Sequence, residues 1–248
     1  MVRSGLFRFI CLFILPFLLT GSSIIPAVFR TPLTEYQAQH RLYRKSRLVT
    51  MVIPSKETIW MDDITIPINL EPYLSQPNPA LALYRNPDTR DLVIDFFIDL
   101  TGSEEVALTT LYYSDRYHIP ALVSFSLAYV ESRFLPEAVN ANPGSYDRGV
   151  FQLNNLSFPH LRPDDFFNID VNVFHGIRHL DWCVSVTDSM EEALAVYNAG
   201  LYRVKNGQTP ESTQRYVRLI MNFRSVLARE FSRFMSRRGS EVVFRTGE

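Results

Sequence analysis

SLAYVESRFLPEAVN, residues 126–140, carries an apolar run straight into a glutamate and then into a proline. The longer stretch IPALVSFSLAYVESRF is dense in apolar residues. Within it Leu122, Phe125, Leu127, Ala128 and Tyr129 include i, i+3 and i+4 neighbours, the pattern of a largely buried helix. Pro120 suits the first turn, and closure near Pro136 puts Glu131 in or close to the last one. There the helix dipole disfavours a negative charge and raises a carboxyl pKa. A glutamate in such a place ordinarily turns to solvent and pairs with a base such as Arg133, because glutamates are rarely buried. The rest of the chain decides between that role and a chemical one.

A chain of 248 residues with 46% hydrophobic and 13% aromatic content can bury a real core, so one main domain with an appendage is expected. The 25 basic and 26 acidic residues leave a formal charge of -1, which supplies no overall field for nucleic acid, and no nucleic-acid partner is expected. At the N-terminus, Arg3 and Arg8 precede an apolar core from Phe9 to Leu19 and then small residues, the three-part pattern of a secretory signal over residues 1–23. An uncleaved anchor reaching Val28 is the alternative, and it is the one membrane contact expected. Removal of the signal leaves Cys183 as the sole cysteine, so the reading is an exported monomer of the periplasm or cell envelope, without an internal disulfide.

Residues 24–78 read as an extended arm or small β appendage, since RLVTMVIP and DDITIPINL have β-branched content but are broken by prolines. From residue 79 to 238 the character is helical, and 239–248 are a tail. The helix signals are an Asp88 cap with Gly102 at the end, Ser103 opening the next segment, and the capping box Ser189-x-x-Glu192 leading to Gly200. A further helix lies around NVFHGIRHLDWCV, and a last one runs from about Glu211 to Arg238. Residues 140–170 read as loop.

In order, the chain presents ESRF (131–134), DRGVFQLN (147–154), NVFHGIRHL (172–180), ALAVYNAG (193–200) and RYV (215–217). These blocks, at these spacings, resemble the SLT-type lytic transglycosylases, lysozyme-like enzymes that cleave the glycan strands of peptidoglycan; the likeness covers roughly residues 105–225. It implies a mainly α, lysozyme-like helical domain. Departures are Phe151 where the family has Met, Val196 before Tyr197-Asn198, and the loop NPGSYDRG, similar to the branch associated with invasion and secretion. Phe151 is expected to keep an apolar wall in the cleft while changing its shape.

Glycosidic cleavage needs an acid on the leaving oxygen and stabilisation of an oxocarbenium-like C1. Glu131 is the candidate catalytic acid, with Phe125, Tyr129, Phe151 and Tyr197 expected to desolvate its carboxyl and raise its pKa. The resemblance implies that the substrate supplies the nucleophile: the muramic acid 6-hydroxyl attacks C1 after N-acetyl participation, and the same glutamate removes its proton. The product is a 1,6-anhydromuramyl end at the cleaved MurNAc-GlcNAc β-1,4 bond. It further implies that Ser132 and Asn198 hydrogen-bond the glycan, that Tyr197 positions Glu131 or the N-acetyl group, that Gln152 lines the floor and that Tyr216 borders a neighbouring subsite. The rivals are a muramidase-type hydrolase on the same fold and a non-catalytic glycan-binding envelope protein. His175 and His179 are spaced i, i+4 as zinc ligands can be, but no third ligand is evident, so no metal or other cofactor is expected. Asp147 suits a turn better than a second catalytic carboxylate. The arginines of the last helix suit a solvated face better than contact with an anionic envelope polymer.

Overall fold

The computed structural model describes residues 69–239. The signal segment, the arm up to residue 68 and the tail from 240 lie outside the described residues. Among these residues are nine α-helices, a 3-10 turn at Pro163–Phe166 and one three-stranded sheet. The helices are α1 (Glu71–Leu74), α2 (Pro79–Arg85), α3 (Pro87–Thr101), α4 (Glu104–Arg116), α5 (Ala121–Ser132), α6 (Ile169–Ser185), α7 (Met190–Ala199), α8 (Leu201–Lys205) and α9 (Glu211–Gly239). The mainly helical class expected from the sequence is the one observed.

Local chemistry fixes most boundaries. Asn86, not Asp88, caps α3: its side-chain oxygen accepts from the Asp88 N–H at 3.0 Å, and Pro87 at the first helical position needs no donor partner. Gly102 ends α3 in the left-handed region, where its N–H reaches the Ile98 carbonyl. Ser103 caps α4 as expected. In the capping box of α7 the Ser189 hydroxyl accepts from the Glu192 N–H, while the Glu192 carboxylate accepts from Asp188 rather than from the cap residue itself.

An aromatic core ties the long helices together. Phe97 of α3 stacks on Phe125 of α5 at 3.9 Å between ring centroids, and Phe231 of α9 closes over both Phe96 and Phe97. Helix α5 is buried on every side from Ala121 to Ala128, which explains its dense apolar run. It closes on Arg133 in the left-handed region, and Phe134 follows in the same region. Glu131 therefore occupies the last turn, just before the chain leaves the helix sharply.

The region read as loop holds the sheet. Strands β1 (Val139–Asn142), β2 (Ser145–Arg148) and β3 (Leu153–Asn154) pair antiparallel in chain order. The register sets Asn140 against Asp147 and Asp147 against Asn154, so these three lie in one row across the sheet on one face. Asp147 is thus a strand residue and not a turn residue. Gly144, at a positive φ, makes the tight β1–β2 connection.

Candidate active site

A cleft of about 240 Å³ opens where α5, the sheet, α6, α7 and α9 meet. Glu131, Gln152, Tyr197, Asn198 and Tyr216 all line it, although they span 85 residues of sequence. Across from them stand Asn140, Asn142, Asp147 and Asn154 from the sheet, and Phe158 and His179 lie at the cleft wall. Ser132 is not in the lining; it is buried behind it.

Burial at the helix end is the dominant influence on Glu131, pushing its carboxyl pKa up to about 8. The Tyr216 hydroxyl donates to Oε1 and partly offsets this, while the negative charge of Asp147 adds to it. The tyrosine in turn is raised well above its usual range by its own burial and by the neighbouring carboxyl. A carboxyl so placed holds its proton at neutral pH and remains able to release it. The surroundings differ from expectation in detail. Phe125 and Phe151 are wholly buried in the core, and Tyr129 stacks on Phe223 of α9 at 4.0 Å, so none of the three lines the cleft. Phe151 accordingly does not shape the cleft directly; its ring packs onto Gly176, where an added Cβ would meet it at 2.4 Å.

The recurrent sequence blocks converge on one turn, Gly149 to Gln152. Gly149 and Gln152 both have positive φ, and a Cβ on Gly149 would lie 2.2 Å from the Phe166 carbonyl oxygen. Successive carbonyls of this turn are taken by different elements: the Ser132 hydroxyl of α5 donates to Val150 at 2.8 Å, and the Tyr197 hydroxyl of α7 donates to Phe151 at 3.0 Å. Gln152 folds its own carboxamide back, donating to Gly149 at 2.9 Å and to Ala138 at 3.2 Å. From α6, Asn172 accepts from the Phe151 N–H at 2.8 Å and donates to the Arg148 and Phe166 carbonyls. The Asn172-x-x-x-Gly176-x-x-x-Leu180 pattern thus has a mechanical meaning. The asparagine ties the turn down, the glycine admits the Phe151 ring, and the leucine is core. Thr213 of α9 donates to Asn198 Oδ1 at 2.8 Å, which orients that carboxamide at the cleft.

The sheet contributes what sequence reasoning missed. Asp147 accepts from Asn142 and Asn154 at 2.7 Å each and from Asn140 at 3.3 Å, so three carboxamides hold one carboxylate on the cleft face. The signal was present: Asn-x-Asn and Ser-x-Asp alternate either side of Pro143-Gly144, a hairpin pattern. His175 and His179 are not presented as a ligand pair. His175 is buried against Phe158, Phe174 and His160, His179 stacks on Trp182 at the cleft wall, and burial lowers both pKa values to about 4. Among the described residues no three or more potential ligands gather as a metal site would require.

The described residues form a helical body around a small antiparallel sheet, with Glu131 in the cleft between them. The family model described as the transglycosylase SLT domain matches residues 110–218, and this part of the chain is an SLT-type domain of the lysozyme-like superfamily. Proteins with this domain act on peptidoglycan in the cell envelope. No curated protein and no solved structure matches the chain.

Proposed function

We propose that the chain is a peptidoglycan lytic transglycosylase that cleaves the MurNAc-GlcNAc β-1,4 bond and leaves a 1,6-anhydromuramyl end. The observation that carries this reading is Glu131, raised to about 8 within a cleft and hydrogen-bonded by the Tyr216 hydroxyl. Protonated at neutral pH, Glu131 gives its proton to the glycosidic oxygen as the bond to C1 breaks. The resulting carboxylate then takes the proton of the muramic acid 6-hydroxyl as that oxygen closes on C1. One carboxyl serves both steps, and the intramolecular hydroxyl enters with a high effective concentration.

The other cleft residues have roles that follow from their contacts. Asn198, oriented by Thr213, meets the glycan, and Gln152 forms the floor beside the acid. Tyr216 acts on Glu131 itself through its hydroxyl, from a position that also borders the neighbouring part of the cleft. Ser132 and Tyr197 act one step back, holding the turn that carries Gln152. The protein is exported to the periplasm or envelope by residues 1–23 and works there as a monomer, with residues 79–238 as the working domain.

Asp147 favours one second reading, a muramidase. A carboxyl group held on the opposite wall by three asparagine carboxamides is where a stabiliser of C1 or a base for water would stand. Mass spectrometry of muropeptides released from purified sacculi separates the two. Anhydromuramyl ends are expected, and reducing muramic ends would establish hydrolysis instead.

A further inference from the structure

Helix α9 has two working sides. Its inner side buries Ile220, Leu227, Phe231 and Met235 in the core, sends Tyr216 to the cleft and ties Thr213 to Asn198. Its outer side presents Arg215, Arg218, Arg229, Arg233 and Arg237, all exposed, in one stripe roughly 33 Å long at 1.5 Å per residue. From Glu211 to Gly239 there are seven arginines and two glutamates, a net of +5; since the whole chain carries -1, everything else sums to -6. The near-neutral total therefore hides a segregated charge. Glu211 and Glu230 pair with Arg215 and Arg233, whereas Arg218 and Arg229 have no carboxylate partner among the described residues.

Two features narrow the partner. Leu219 and Val226 are 59% and 44% exposed and lie on the same stripe, between the two groups of arginines. At the C-terminal end a recess of about 410 Å³ is lined by Phe96 and Phe234 together with Glu230, Arg233, Arg237 and Arg238. A straight row of guanidinium groups with interspersed apolar side chains, ending in an aromatic and basic recess, suits a flat surface of phosphates with hydrocarbon beneath. It suits scattered peptide carboxylates less well, because these offer no apolar layer for Leu219 and Val226. The inner face is spent on the core, so the helix lies against a surface without embedding in it.

We propose that the outer face of α9 docks on the anionic phospholipid headgroups of a bilayer. The sequence assigns membrane contact only to the N-terminal segment; the arginine stripe is a second, independent contact that leaves the inner side of α9 in the cleft. Each arginine brought to an anionic leaflet adds to binding, and the contact is screened by salt.

The test is co-sedimentation of the full chain with vesicles of phosphatidylglycerol and phosphatidylcholine, against vesicles of phosphatidylcholine alone. The apolar N-terminal segment contributes to both, so the preference for anionic vesicles is the quantity read. Replacing Arg218, Arg229 and Arg237 by Gln is expected to lower that preference at least about tenfold, as is roughly 0.5 M salt, with cleavage of soluble glycan fragments unchanged. Arg229→Glu alone should lower it in the same direction. An unchanged preference in the triple variant overturns the proposal. So does a variant that loses binding to sacculi while keeping its binding to anionic vesicles, since the stripe would then serve the stem-peptide carboxylates.

Discussion

Tyr216 of α9 donates its hydroxyl to Oε1 of Glu131 in the last turn of α5, joining residues 85 positions apart at the centre of the cleft. That hydrogen bond favours the carboxylate and holds the Glu131 pKa below the level that burial alone would set. Tyr216→Phe removes the donor and keeps the ring. The Glu131 pKa is then expected to rise, carrying the alkaline limb of the pH–kcat/KM profile to higher pH. A limb that moves down or stays in place would show that the tyrosine has no such influence on the acid.

Asp147 acts in the opposite direction, because its charge raises the Glu131 pKa. Asp147→Asn should therefore move the alkaline limb to lower pH. The same variant separates the two catalytic readings. A transglycosylase that relies on Glu131 keeps most of its turnover near neutral pH, whereas a hydrolase that needs a second carboxylate loses about 10²-fold or more.

The turn at Gly149–Gln152 depends on Asn172, whose carboxamide makes three hydrogen bonds to backbone and is almost wholly buried. Asn172→Ala leaves the Phe151 N–H and the Arg148 and Phe166 carbonyls without this partner. A cost of about 2–4 kcal/mol in unfolding free energy is expected, since each buried group left unpaired costs about 1–3 kcal/mol before relaxation. Urea denaturation reads this directly, and a variant as stable as the parent would remove Asn172 from its supporting role.

What could be seen in the sequence was what local chemistry dictates. The caps at Ser103 and Ser189, the stop at Gly102 and the apolar density of α5 all act within a few residues of themselves, so the helices were visible. Glu131 stood out because an acid interrupts an otherwise buried helix. The sheet did not stand out, since VNAN, SYDR and LN carry little β-branched content and are held by pairing across the hairpin and by Asn172, features set by the tertiary fold. For the same reason the sequence alone suggests a turn at Asp147 and a cleft wall at Phe151, whereas Asp147 lies in β2 and Phe151 in the core. The direction of a side chain at that turn depends on Gly176, which is 25 residues further along.

Replacement of Glu131 by Gln tests the assignment on which the chemistry turns, and it does so by two independent readouts. Gln keeps the size but neither gives nor takes a proton, so turnover on sacculi should fall about 10²- to 10⁴-fold. Stability carries the second signature. The folded pKa of about 8 lies above the unfolded 4.5, so between these values the folded chain holds a proton that the unfolded chain has released. Stability from this group is therefore greatest below about 4.5 and declines as pH rises towards 8. His175 and His179, lowered from 6.5 to about 4, act in the opposite sense, but they are common to both proteins and cancel in the comparison. The melting temperature of Glu131→Gln relative to the parent should thus increase as pH is raised from 5 to 8, by several degrees. A constant difference across that range would mean that Glu131 ionises like a surface carboxyl, and such a group could not serve as the acid.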